Sequence, residues 1–273
     1  MDNDISPILD AWPYKEGAHI RRIGGAEGRD KLQVRLPMGI EQYEVDGRPD
    51  GMRPEGFESY LAYYQSIAEA EGACWELSQE AFTQLYEEGL LFYCRYLLFF
   101  QLGDYDLCVR DTTRNLELAD FVSQRASSAA MSDAMEQYRP YILRMRAVSL
   151  AVRNAKEQNV KAALDVIAGA VEEIEKLPLI KTQIFKLEKT RSLVALRDLS
   201  AQLKRQEHAF HPEGVPAEGP LAMARVCHGT PPSRADRLKE ELARAVADEN
   251  YERAAGLRDE LRRLSDEGAH PAH

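Results

Sequence analysis

Five groups of residues in this 273-residue chain have types and spacing that could do chemistry. The carboxylate pairs Glu87-Glu88 and Glu172-Glu173 have the composition of an acid–base couple. Neighbours on a helix point to different sides, however, so both pairs are expected on solvated faces. Cys94 and Cys108 sit in apolar helical runs, where a thiol is buried and inert rather than nucleophilic. His208, His211, Cys227 and His228 begin with the i, i+3 spacing of a zinc ligand pair. Cys227 follows only after a long Pro- and Gly-rich stretch and has no C-x-x-C partner, so no metal site is expected. Gly24-Gly25-Ala26-Glu27-Gly28 has the glycines of a phosphate loop but no following Lys-Ser/Thr, and reads as a hairpin turn. G-x-S-x-G, H-E-x-x-H, the P-loop, the dinucleotide fingerprint and the calcium loop are all missing. The chain is therefore expected to be no enzyme and to use no cofactor.

The remaining group is basic. Lys181, Lys186, Lys189, Arg191, Arg197, Lys204 and Arg205 stand against Glu188 and Asp198, a local charge of +5 in a chain of net charge -10. A nucleic-acid face is one reading. The other is a solvated helix face that complements acidic neighbours, favoured because no aromatic residues interleave the charges.

These residues lie on elements that composition and periodicity outline. A hydrophobic content of 44% and a mean hydropathy of -0.45 describe a chain able to bury a core. The acidic N-terminus Met-Asp-Asn-Asp has no apolar region of a secretory signal, and the cysteines form no regular framework, so reduced thiols and a cytoplasmic location are expected. The longest apolar run, Gly89 to Leu102, contains Arg95 and is too short to span a bilayer, so no membrane contact is expected.

Residues 1–56 form a β-rich segment. Ala18 to Ile23 predicts a strand, and Leu32, Val34, Leu36, Met38 and Ile40 alternate. The apolar phase then shifts to Tyr43 and Val45, which within one strand requires a bulge or break at Gly39. The segment ends at the double turn Asp46-Gly47-Arg48-Pro49-Asp50-Gly51. A small antiparallel sheet of two or three strands packed on helices is expected.

Residues 57–210 carry helical period: Phe57 to Glu71, Ser78 to Gln101, a helix opening at Gly103-Asp104-Tyr105, then Tyr138 to Glu157, Val160 to Leu177 and Leu179 to Phe210. The last helix has Ile180, Ile184, Leu187, Leu196, Leu199 and Leu203 as its apolar positions, packed on the bundle or paired in a short coiled coil. Phe92, Tyr93, Tyr96, Phe99 and Phe100 are expected in the core. The hairpins around Gly103 and Asn159 resemble tetratricopeptide repeats, with Cys108 and Ala163 where the repeat wants a small residue. Their turns are 55 residues apart rather than the usual 34, which leaves an irregular helical bundle as the alternative.

Five prolines and three glycines fall between His211 and Arg234, so residues 211–232 are expected to be a flexible linker. Beyond them Leu238, Leu242, Ala245 and Val246 form one helical stripe, and Tyr251, Ala254, Ala255, Leu257, Leu261 and Leu264 a second. The short Ala-Asp-Glu-Asn joint makes residues 233–267 a helical hairpin, followed by a tail, 268–273. Arg258 has the like charge Arg262 four residues on, so its partner is expected on the first helix or on another chain; Asp259 has Arg262 and Arg263 within one turn. The hairpin resembles the UVR motif found in UvrB, UvrC and Clp-protease adaptor proteins, through Leu238, Leu242, Ala245, Val246 and the run Glu249 to Leu261. Trp12-Pro13-Tyr14 and the Asp46–Gly51 turn are similar to the N-terminal part of uncharacterised bacterial proteins that end in this motif.

The resemblance implies docking onto a protein partner's helical hairpin, or a homodimer, through Leu238, Leu242, Tyr251, Ala254, Ala255, Leu257, Arg258, Asp259 and Leu261. The expected architecture is mainly α: a small N-terminal antiparallel sheet, a tetratricopeptide-like helical body and a C-terminal UVR hairpin on a flexible linker. The expected function is that of an adaptor. A nucleic-acid-associated repair accessory factor is the second reading, and an enzyme in a groove between sheet and helices the third.

Overall fold

The structure, a computed structural model, describes residues 4–15, 17 and 19–205. Its chain order places a short helix α1 (Ser6–Ala11) before three strands, β1 (Ile20–Gly24), β2 (Asp30–Leu36) and β3 (Gly39–Glu44). The strands pair antiparallel in the order β1-β2-β3. Gly25 closes the first turn: its N–H donates to the Arg29 carbonyl at 2.8 Å, and a Cβ there would meet that oxygen at 2.7 Å. The glycine run is a hairpin turn.

The run from Leu32 to Val45 is two strands, not one. Leu36 pairs with Gly39 across the turn Pro37-Met38, and Leu32 pairs with Tyr43. Paired positions across a two-residue turn have opposite parity, so one sheet face collects even residues before the turn and odd residues after it. Leu32, Val34, Tyr43 and Val45 are accordingly the buried set. The shift in phase marks this chain reversal, so of the bulge and the break that Gly39 allowed, it is the break that forms.

The helical body comprises α2 (Tyr60–Glu71), α3 (Gln79–Leu102), α4 (Tyr105–Arg125), α5 (Ala129–Glu136), α6 (Arg139–Lys156), α7 (Val160–Lys176) and α8 (Gln183–Arg205). Side-chain caps set several starts: Ser59, Ser78, Ser128 and Asn159 each accept from an amide of the first turn of α2, α3, α5 and α7. Thus α2 begins at Tyr60 rather than at Phe57. Gly103, left-handed at φ 79°, ends α3 and lets α4 fold back on it.

α3 packs on α4, α4 on α6, α6 on α7, and α8 on both α6 and α7. The pairs α3/α4 and α6/α7 are the expected helical hairpins. α5, which no strong period announced, lies between them against α4 and lengthens the interval between their turns. Around α2, α3 and α4 the core includes Leu61, Tyr64, Leu77, Leu85, Leu118 and Val122. Phe92, Tyr93, Tyr96 and Phe99 are buried, and Phe100 is half-buried. No helix among the described residues is long and apolar enough to cross a membrane.

Candidate functional site

Two groups of buried ions hold the sheet segment to the helices. Glu88, expected on a solvated face, is 0% exposed, whereas its neighbour Glu87 is exposed. Its carboxylate accepts from Arg48 Nη1 at 2.9 Å, from the Tyr60 and Leu61 amides at 2.7 and 3.1 Å, and from Arg114 Nη2. It closes the N-terminus of α2, where free amides and the helix dipole favour an anion. Adjacency showed only that Glu87 and Glu88 face different ways; a guanidinium arriving from the Arg48 turn made one of those ways the interior.

Seven residues along α3, Arg95 makes a two-bond contact with Asp111 of α4 at 2.7 and 3.0 Å. Its Nη1 donates to the carbonyls of Glu44 and Gly47 at 2.9 and 2.8 Å. Arg110 adds bonds to Asp46 and to the Val45 carbonyl. The double turn Asp46–Gly51 is thereby a docking peg. Arg48 and Asp46 bond to the helices, and Asp50 bonds Arg48 within the turn.

A second polar group is different. On α8 the buried face is Phe185, Glu188, Ser192, Leu196, Leu199 and Leu203. Ile184 and Leu187, expected on that face, are 38% and 48% exposed. Projecting the phase of Leu196, Leu199 and Leu203 toward the helix start reaches Ser192, Glu188 and Phe185, so the inward position there is polar. The helix packs on α6 and α7 of the body.

Facing Glu188 are Tyr93 of α3 and Tyr141 and Arg144 of α6, and Ser192 follows Glu188 one turn along the same buried face of α8. The Tyr93 and Tyr141 ring centroids lie 5.9 Å apart, and the Arg144 guanidinium lies 4.9 Å from the Tyr141 centroid. Arg144 Nη2 stands 3.8 Å from Glu188 Oε2, an ion pair too long to be a hydrogen bond. Arg191 approaches the other carboxylate oxygen at 3.7 Å from the solvent side. Tyr93 Oη, Tyr141 Oη, Arg144 Nη2, Glu188 Oε2 and Ser192 Oγ are buried and make no hydrogen bond of ordinary distance and angle among the described residues, although the two tyrosine hydroxyls interact with each other. Burial raises the Glu188 carboxyl above its ordinary range against the opposing pull of Arg144 and Arg191. The Tyr93 hydroxyl is pushed up to about 12, also by burial.

The basic residues lie along and just before α8. Lys189 Nζ donates to the Glu175 and Leu177 carbonyls at 3.0 and 3.2 Å, capping α7. Arg197 bonds Glu175 at 2.6 Å, and Arg191 pairs with Glu188. Lys181, Lys186, Lys204 and Arg205 are exposed. Three of the seven positive charges are therefore occupied by acidic or carbonyl neighbours.

Among the described residues Cys74 and Cys108 are free, the first exposed and the second buried. Cys108 accepts from the Ser149 hydroxyl at 3.1 Å, and burial pushes its thiol up to about 12, so it is no nucleophile. Cys94 is likewise buried, within the apolar run of α3.

The hairpin residues Leu238, Leu242, Tyr251, Ala254, Ala255, Leu257, Arg258, Asp259 and Leu261, the linker and tail, and the set His208, His211, Cys227 and His228 lie outside the described residues. For this part of the chain the comparison with known families decides. Residues 233–267 match the UvrB/uvrC motif. The UVR motif serves interactions in repair-associated proteins, with protein or nucleic acid. No curated protein and no solved structure matches the chain.

Proposed function

We propose that this chain is a non-enzymatic adaptor: the helical body of residues 57–205 carries the UVR hairpin, which docks a helical hairpin of a protein partner or a second copy of itself. The observation that carries the reading is the motif at residues 233–267. Each of its two helices spans about four turns, too short to be more than marginal alone, so the paired stripes gain from further apolar cover. Leu238, Leu242, Tyr251, Leu257 and Leu261 supply that surface, and the small Ala254-Ala255 step lets another backbone approach. A tether through residues 211–232 raises the local concentration of whatever is docked beside the body.

The body supports this division of labour. Its conspicuous ions, Glu88, Arg95 and Asp111, are consumed in attaching the sheet, and Lys189, Arg191 and Arg197 in seating α8. The reading of Lys181 to Arg205 as a nucleic-acid contact loses those three charges and rests on Lys181, Lys186, Lys204 and Arg205.

The test is affinity capture from the source cell's lysate with the full chain and with a full-length Leu242→Asp/Leu257→Asp variant, recording the solution mass of each. Loss of a specific protein with the double variant, while the body's helical signal persists, is the expected result. Retention of every partner and an unchanged mass would remove the hairpin from the function.

A further inference from the structure

Each of the five unpartnered atoms between α3, α6 and α8 belongs to a side chain more than nine-tenths buried. An isolated lapse of this kind is ordinary, whereas five in one place are not, because each buried polar group without a partner costs on the order of 1–3 kcal/mol. The ordinary remedy would be an apolar stripe, which α8 has further along at Leu196, Leu199 and Leu203. Here the chain instead brings a donor, an acceptor and three hydroxyls together beside aromatic faces. That is the composition of a small-molecule site: mostly aromatic walls with a few convergent polar groups.

We propose that Tyr93, Tyr141, Arg144, Glu188 and Ser192 form a binding site for a small, net-neutral molecule that presents a hydrogen-bond acceptor beside a donor. Charge decides the first property. The two buried charges, Arg144 and Glu188, balance, and the third, Arg191, is half-exposed to solvent, so a net anion or cation would leave an uncompensated buried charge. Geometry decides the second. The 3.8 Å between Arg144 Nη2 and Glu188 Oε2 is too long for a direct bond. A group that accepts from the guanidinium while donating to the carboxylate satisfies both. A primary amide does so with its oxygen and nitrogen, and an amino acid head group with its carboxylate and ammonium. The three hydroxyls, each able to give or accept, serve the rest of the molecule. The ligand enters past Arg191, a half-exposed guanidinium that stands 3.7 Å from the Glu188 carboxylate.

The test is calorimetric titration of the full-length protein with acetamide and, separately, with glycine and L-alanine. Melting curves are recorded for the wild type and for Tyr141→Phe and Ser192→Ala. The expected result is saturable binding of one of the two classes, weakened about tenfold or more in each variant. The same variants should melt no lower than the wild type, because they remove polar groups that have no partner in the fold. Binding of acetamide alone assigns an amide ligand, and binding of the amino acids alone a zwitterionic one. No saturable binding of either class overturns the proposal. So does binding that both variants leave unchanged, or lower melting of both variants without loss of binding, which would make the hydroxyls part of the fold.

Discussion

Glu88 shows how one side chain can hold two parts of a chain in register. It receives Arg48 from the sheet segment, Arg114 from α4 and two amides from the start of α2. Replacing it with Ala strands two guanidinium groups and two amides, so Glu88→Ala is expected to cost about 3–5 kcal/mol by denaturant titration. Glu88→Gln keeps an acceptor for the amides and is expected to cost less. Asp111→Ala should match Glu88→Ala in size, because it leaves Arg95 buried without its two-bond partner. Glu188 behaves in the opposite sense. Its carboxyl is raised by burial, with Arg144 and Tyr141 of α6, Tyr93 of α3 and Arg191 of α8 around it. The folded chain thus holds this proton more tightly than the unfolded one. Its contribution to stability is greatest below the unfolded value of 4.5 and falls as pH rises from there through the raised folded value. Glu188→Gln should flatten that part of a stability-against-pH curve. An unchanged curve would show that Glu188 does not titrate differently in the two states.

At the scale of elements, α8 is held from several sides. Lys189 on its outer side caps α7, and Lys189→Ala is expected to cost about 0.5–1 kcal/mol, read as a shift in denaturation midpoint. Gly25→Ala tests the first sheet turn, since its Cβ would fall 2.7 Å from a backbone oxygen that cannot swing away. A loss on the order of 1–2 kcal/mol is expected there. Most of these elements are legible in the residues. Ser78, Gly103 and Asn159 mark helix ends by capping chemistry that needs no tertiary context, and the strand alternation marks a sheet. Three features are not legible. The parity change around Gly39 fits a bulge as well as a reversal, and only the pairing of Leu36 with Gly39 distinguishes them. The inward face of α8 was misassigned over its first half because Ile184 and Leu187 are apolar and Glu188 and Ser192 are not; burial there follows the neighbours, Tyr93 and Tyr141, rather than hydropathy. Glu88 is likewise invisible along the chain, since its partners lie 26 to 40 residues away. The hairpin residues were legible as a family pattern, and the match to residues 233–267 supports that part.

Along the chain, a body fastened by buried ions precedes the motif at residues 233–267. The chain's net charge of -10 opposes a polyanion, and several of its clustered positive charges are committed to neighbouring carboxylates and carbonyls. The adaptor reading therefore expects only weak binding to duplex DNA at low salt, unchanged by Lys204→Ala/Arg205→Ala; a steep salt dependence that this double variant reduces would favour the nucleic-acid role. The most direct measurement is the solution mass and retained partners of the full-length chain beside its Leu242→Asp/Leu257→Asp variant. A partner hairpin protein, or a second copy, present with the first and missing with the second is the expected result. Identical mass and identical partners for two equally folded proteins would contradict an adaptor that works through its UVR hairpin.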